Sequence, residues 1–148
     1  MSANTAPIWT GTPQASSVVV TAANTRSDGN GTIATDIFLA ATFGANGSFV
    51  TAIEFMPTAT AAGTTTTATV ARIFRSTQTS GGTTSSNTWL IAEVILPSVT
   101  AANSSGMNPR IAVPLGVALP AGQTILVTNH AAPASNTAWV ANVFFGNY

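Results

Sequence analysis

Few side chains in this 148-residue chain can do chemistry, and they are scattered. The single histidine, His130, stands in "VTNHAAPAS". A Ser-His-acid triad would need that imidazole beside a serine and a carboxylate, and no G-x-S-x-G elbow is present. A histidine at a strand end or in a loop is the simpler reading. The four carboxylates, Asp28, Asp36, Glu54 and Glu93, are dispersed. A metal site wants three or four converging His, Cys, Asp or Glu ligands, and their spacing offers none. Asp28 in "DGNG" resembles the start of a calcium loop but lacks the alternating acids and the closing glutamate. Glu54 and Glu93 could serve as a glycosidase pair if held about 5–10 Å apart. The structural reading sets Glu93 opposite Arg72 and turns Glu54 to solvent or to an arginine across a subunit boundary. "GGTTSS" lacks the lysine of a phosphate-binding loop. Trp9, Trp89 and Trp139 could stack on sugar rings, although strand tryptophans more often sit in a core or an interface. The expectation is a protein that is not an enzyme and uses no cofactor or metal.

Charge narrows the partners. The chain has four arginines (Arg26, Arg72, Arg75 and Arg110), no lysine, four acids and 5% charged residues, where about 25% is usual. Four dispersed arginines make no basic stripe for nucleic acid or anionic membrane. With no net charge to hold copies apart, the composition suits a component of an assembly better than a freely diffusing monomer. The competing reading is a secreted domain kept soluble by hydroxyl and amide groups. Apolar runs such as "IFLAA" and "WLIAEVIL" fall short of the roughly 18–20 residues that span a bilayer. The start, "MSANTAPIWTG", shows neither the basic nor the apolar region of a secretory signal. The absence of cysteine leaves the redox compartment open.

The elements that must position these residues read as strands. Thr, Val, Ile and aromatics fill the ordered stretches, and Gly, Asn, Pro and Ser punctuate them at short intervals. Strands are expected over 17–23, 33–43, 48–57, 67–76, 88–97, 110–118, 123–131 and 137–146, with a short extra piece around Ile8–Thr10. The fold class is all-β: an antiparallel sandwich or jelly-roll-like barrel of about eight strands. Asn46-Gly47 predicts a type I′ hairpin turn, and "LPAGQ" a turn begun by Pro120 with Gly122 left-handed. Residues 1–16, polar apart from Ile8 and Trp9, form an N-terminal arm on a single domain at 17–148.

The tract "TQTSGGTTSSN" (77–87) then becomes the tip of a hairpin. Pairing about its centre sets Arg72 opposite Glu93 as a structural ion pair, Val70 opposite Ile95 and Phe74 opposite Ile91. The tip is expected to project from the domain and, with the arm, to make attachments. Ile8, Trp9, Arg72 and Arg110 are the candidate partner-binding residues.

The stretches "VARIFRSTQTSGGTTSSNTWLIAEVILP", "AVPLGVALPAGQTILVT" and "AWVANVFFGNY", within residues 33–148, resemble small virion proteins of tailed bacteriophages. The resemblance implies a capsid decoration (cement) protein that binds the outer shell and stabilises neighbouring capsomers, often as a homotrimer. Its partners would be the major capsid protein or other virion proteins, and its location the virion, assembled in the host cytoplasm. The low charge departs from a protein that recognises a shell through ion pairs. A tail, baseplate or fibre-associated protein is the competing virion reading. A carbohydrate-binding β-sandwich, with glycan as partner, is the competing reading from another class.

Overall fold

Alternation of inward and outward residues along most of the β-rich stretches lets one face of a strand be buried while the other is more exposed, whereas Thr124–Asn129 is buried on both faces. The computed structural model describes residues 11–61, 63–101 and 108–148, and among these no residue is helical. The strands are β1 (Thr12–Val20), β2 (Gly31–Thr32), β3 (Phe38–Thr42), β4 (Ser48–Ala59), β5 (Thr69–Ser76), β6 (Gly82–Thr83), β7 (Thr88–Leu96), β8 (Ile111–Leu119), β9 (Thr124–Asn129) and β10 (Thr137–Asn147). Eight long strands form two four-stranded sheets, β1-β10-β4-β8 and β3-β9-β5-β7, and β2 pairs with β6 outside them. All these pairings are antiparallel. The first long strand pairs with the last, the second with the seventh, the third with the sixth and the fourth with the fifth, as in a long hairpin rolled on itself.

The core between the sheets takes Val20, Ile53, Phe55, Ile73, Ile125, Val127, Trp139 and Val143, none more than 1% exposed. Full burial contributes about 1.5–3 kcal/mol for a side chain such as Phe55. Bulges fall at one level of the first sheet, between Phe144 and Phe145 against β4 and between Val50 and Ala52 against β8. Bulges at a shared level bend a sheet, here with Gly116 left-handed at φ 60°.

All eight expected strands are present, with shifts at their ends. The strand expected over 17–23 is β1 and begins at Thr12, so residues 12–16, read as arm, pair with Asn147–Val143 of β10. Residues 1–10, with the piece at Ile8–Thr10, lie outside the described residues. The Asn46-Gly47 turn is not a type I′ hairpin. β3 and β4 belong to different sheets, Gly47 has φ 86° while Asn46 is not left-handed, and Gly47 N–H donates to Gly44 O at 3.0 Å. The link is a four-residue turn that carries the chain across the sandwich. The turn at Pro120 forms as expected, with Gly122 at φ 76° and Gln123 N–H reaching Pro120 O at 3.4 Å.

In the β5–β7 ladder Arg72 faces Glu93 and Val70 faces Ile95. Phe74, however, faces Leu90, because a bulge beyond the Ile73–Ala92 pair leaves Ile91 over. The 77–87 tip does not project freely. It folds back so that Gly82-Thr83 pairs with Gly31-Thr32, Gly81 O accepts from Ile33 N–H, and Gln78 O accepts from the Thr124 hydroxyl at 3.0 Å.

Candidate interaction surface

The two sheets present very different outer faces. On the first, the alternation that buries Val20, Trp139, Ala141, Val143, Ile53 and Phe55 turns Val19, Val140, Asn142, Phe144, Met56, Glu54 and Ala52 outward. β8 adds Ala112 and Pro114 beside them. Val19 is 45% exposed and Phe144 39%. Polar groups here are few and paired with each other: the Ser17 hydroxyl lies 2.7 Å from Asn142 Oδ1, and Arg110 Nη1 lies 3.5 Å from Glu54 Oε2. At one end, Val19, Thr21, Thr58, Thr60, Asn136 and Ala138 line a shallow concavity of about 380 Å³. No other described element lies across this face.

The outer face of the second sheet is covered by the chain itself over β3, β9 and β5, while Leu90 and Ile95 of β7 stay exposed. Residues 21–37 run across it as a strap, and Ile33 and Ile37 pack on Phe74 and Leu126 in a small second core. Asn24 ties one end: its N–H donates to Asn129 O at 2.7 Å, and its side-chain amide donates to Asn30 O and Asp36 Oδ2, each at 3.1 Å. Asp36 also accepts from Thr32 N–H at 2.6 Å. The folded-back 77–87 tip holds the other end through the β2–β6 pair.

Beside the strap lies a knot around Arg72. Its guanidinium donates to Glu93 Oε1 at 2.8 Å and to Asn24 O at 3.3 Å. His130 Nδ1 stands 3.3 Å from both Nη1 and Nη2. Arginine can only donate, so Nδ1 accepts and the imidazole carries its proton on Nε2. Nearby in the strap, Asp28 accepts from Arg26 Nε at 3.0 Å and Nη2 at 2.6 Å, and from Asn30 N–H at 3.1 Å. The Arg26 guanidinium and the Asn30 N–H hold the Asp28 carboxyl well below the ordinary carboxylate range.

The candidate residues thus fall in separate places. Ile8 and Trp9 lie outside the described residues. Arg72 is 9% exposed and faces its own chain, whereas Arg110 has a 65% exposed side chain at the rim of the open face. Glu54 and Glu93 sit on different sheets, each with its own arginine, so they do not form the two-acid geometry of a glycosidase. The arginine near Glu54 belongs to the same chain. Trp139 is core at 1% exposure, and the Arg75 guanidinium lies 4.6 Å from the centre of the Trp89 ring. Among the described residues no group of three His, Cys, Asp or Glu could hold a metal ion. Sequence reading missed the open face because its residues are spread over four strands. The signal was there in each strand's outward set, in Val19, Met56, Val140 and Phe144, where alternation would have placed polar residues.

No family model matches this chain, and no curated protein matches it. Among solved structures, a chain described as "Cyanophage Pam1 capsid asymmetric unit" is similar, with 12% identity and a TM-score of 0.43 over 99% of this chain and 94% of that one. A likeness of that size leaves function to be argued from this chain's own residues.

Proposed function

We propose that this chain is a non-enzymatic structural protein of a tailed-phage virion, a decoration protein that binds the outer shell as a homo-oligomer and stabilises neighbouring capsomers. The observation that carries the reading is the outer face of the first sheet, apolar, broad and nearly uncharged. Such a face on a soluble domain marks an interaction site. The resemblance of residues 33–148 to small virion proteins supports it. So does the pairing of first strand with last, second with seventh, third with sixth and fourth with fifth, which reads as a jelly roll, an architecture that recurs in viral capsid proteins. That last support is fold-level analogy.

Attachment then runs through the open face, centred on Met56, Val140 and Phe144, and through the N-terminal arm. The 77–87 tip, tied to its own strap, holds the domain together and is not part of the clamp. β1 begins beside the 43–47 and 120–123 turns, since Thr12 pairs with Asn147 and Asn147 with Ser48, itself opposite Leu119. Burying Ile8 and Trp9 on a partner would contribute on the order of 3–5 kcal/mol before ordering costs.

The test is mass spectrometry of purified virions separated into heads and tails, followed by rebinding to stripped heads. The chain should be found with heads, and Phe144→Asp should fold but fail to rebind. A deletion of residues 1–10, which spares β1, should weaken rebinding. Recovery with tails would move the protein to the tail or baseplate, and absence from particles would end the virion reading.

A further inference from the structure

Among the described residues, the sandwich is more closed along one side than along the other. On the closed side the edge strands β1 and β3 pack together, whereas β7 and β8, the edge strands of the two sheets on the opposite side, make less contact. Of the core residues that these two strands turn inward, Leu96 and Leu119 at the strand ends are buried, whereas Ile91 and Val94 on β7 and Ile111, Val113, Leu115 and Val117 on β8 are only partly so. Among the described residues, the result is an aliphatic seam flanked by two unpaired strand edges. β8 carries no charged side chain, and the one charge on β7, Glu93, is already paired with Arg72. β7 has neither lysine nor proline along its nine residues and exposes Ile95 to 75% and Leu90 to 38%. Natural edge strands are usually blunted by such residues, and an apolar unblunted edge is a template for strand pairing. The bulge at Ile91 interrupts β7 once, and β8 is interrupted by Pro114 and by the bulge at Gly116.

We infer that this seam is where a second copy of the chain docks, edge to edge, in a two-fold pair. A partner that covers the seam must meet two strand edges in two layers about 10 Å apart. A second copy carries the same two edges at the same separation. A two-fold axis normal to the sheets sets β7 antiparallel to its own copy and β8 antiparallel to its own copy, both at once, which is the self-complementarity of an isologous contact. The β7 edges supply backbone pairing, and the inward aliphatics of β8 close over the seam. Copies of a chain with zero formal net charge approach without electrostatic opposition. The inference goes beyond the virion reading and stands apart from it, because purified protein tests it with no particle present.

The experiment is sedimentation of the purified full chain at micromolar concentration, with amide exchange followed at two concentrations. The wild-type chain should sediment at twice its 14.9 kDa mass, and β7 amides should exchange more slowly at the higher concentration. Val113→Asp should halve the mass, whereas Phe144→Asp, on the other face, should leave it doubled. Loss of strand signal in Val113→Asp would leave the decision to the wild-type exchange data. A wild-type monomer or trimer, a dimer whose β7 exchange ignores concentration, or a folded Val113→Asp that stays dimeric would each overturn the inference.

Discussion

At the scale of single residues, the Arg72 knot shows what a scarce charge is used for. One guanidinium joins β7 through Glu93, the strap through Asn24 O, and the end of β9 through His130. Arg72→Met keeps much of the side-chain volume but leaves a buried carbonyl and a carboxylate without their donor. It should cost about 1–3 kcal/mol in urea unfolding. Glu93 is 46% exposed at the side chain, so Glu93→Gln should cost less than about 1 kcal/mol. Equal costs for the two would mean that the pair, and not the knot, holds the strap. The opposition of Arg72 and Glu93 could be read in the sequence because opposite charges favour facing positions across strands, whereas the bulge that shifts the register nearer the tip could not. Asn24 and His130 could not, since they arrive from distant segments and carry no local pattern. Asp28 gives a pH prediction. Its folded carboxyl lies below its unfolded value of about 3.9, so its contribution is fully present above that value and is lost as pH falls through the folded one. The side chain is 43% exposed and the contribution to global stability small. NMR should find Asp28 still ionised where free carboxylates protonate, and Asp28→Asn should speed amide exchange at Asn30 at neutral pH.

At the scale of elements, turns decide which sheet a strand joins. Gly47 and Gly122 are both left-handed, but a Cβ at Gly47 would come 2.5 Å from Leu119 O, whereas at Gly122 it would meet nothing within 4 Å. Gly122→Ala should therefore cost only the left-handed penalty, about 1–2 kcal/mol, and Gly47→Ala measurably more. Thermal unfolding of the two variants compares them directly, and equal losses would contradict the close approach. The eight strands were legible because alternation and β-branched residues are local signals. The turn type at Asn46-Gly47 was not, because the dipeptide serves a hairpin or a crossing between layers equally well, and the partner of each strand settles which. The same limit explains the tip at 77–87. Its neutral residues suggested a free projection, yet Thr83 is buried and Gly82-Thr83 pairs with Gly31-Thr32 of β2.

At the scale of the whole molecule, neutrality and the open face belong together. A surface that binds through Met56, Val140, Phe144 and backbone has no counterions to release and little charge to screen. Binding to stripped heads should change little between low and high salt. A steep loss of affinity with salt would assign attachment to ion pairs at Arg110 or elsewhere. The rolled pairing of strands has a different consequence, one that bears on the chain's history. β10 lies between β1 and β4, so the central ladder of the first sheet waits for Thr137–Asn147. Until that strand leaves the ribosome, β1 and β4 have no shared neighbour, and the first sheet cannot close while residues 12–136 are being made. Contacts that join the two ends of a chain slow folding, into the range of milliseconds to seconds for sandwiches of this kind. Stopped-flow refolding should show that slow phase. Truncation before Thr137 should leave a chain with no stable partial fold, its apolar strands open to one another and to chaperones.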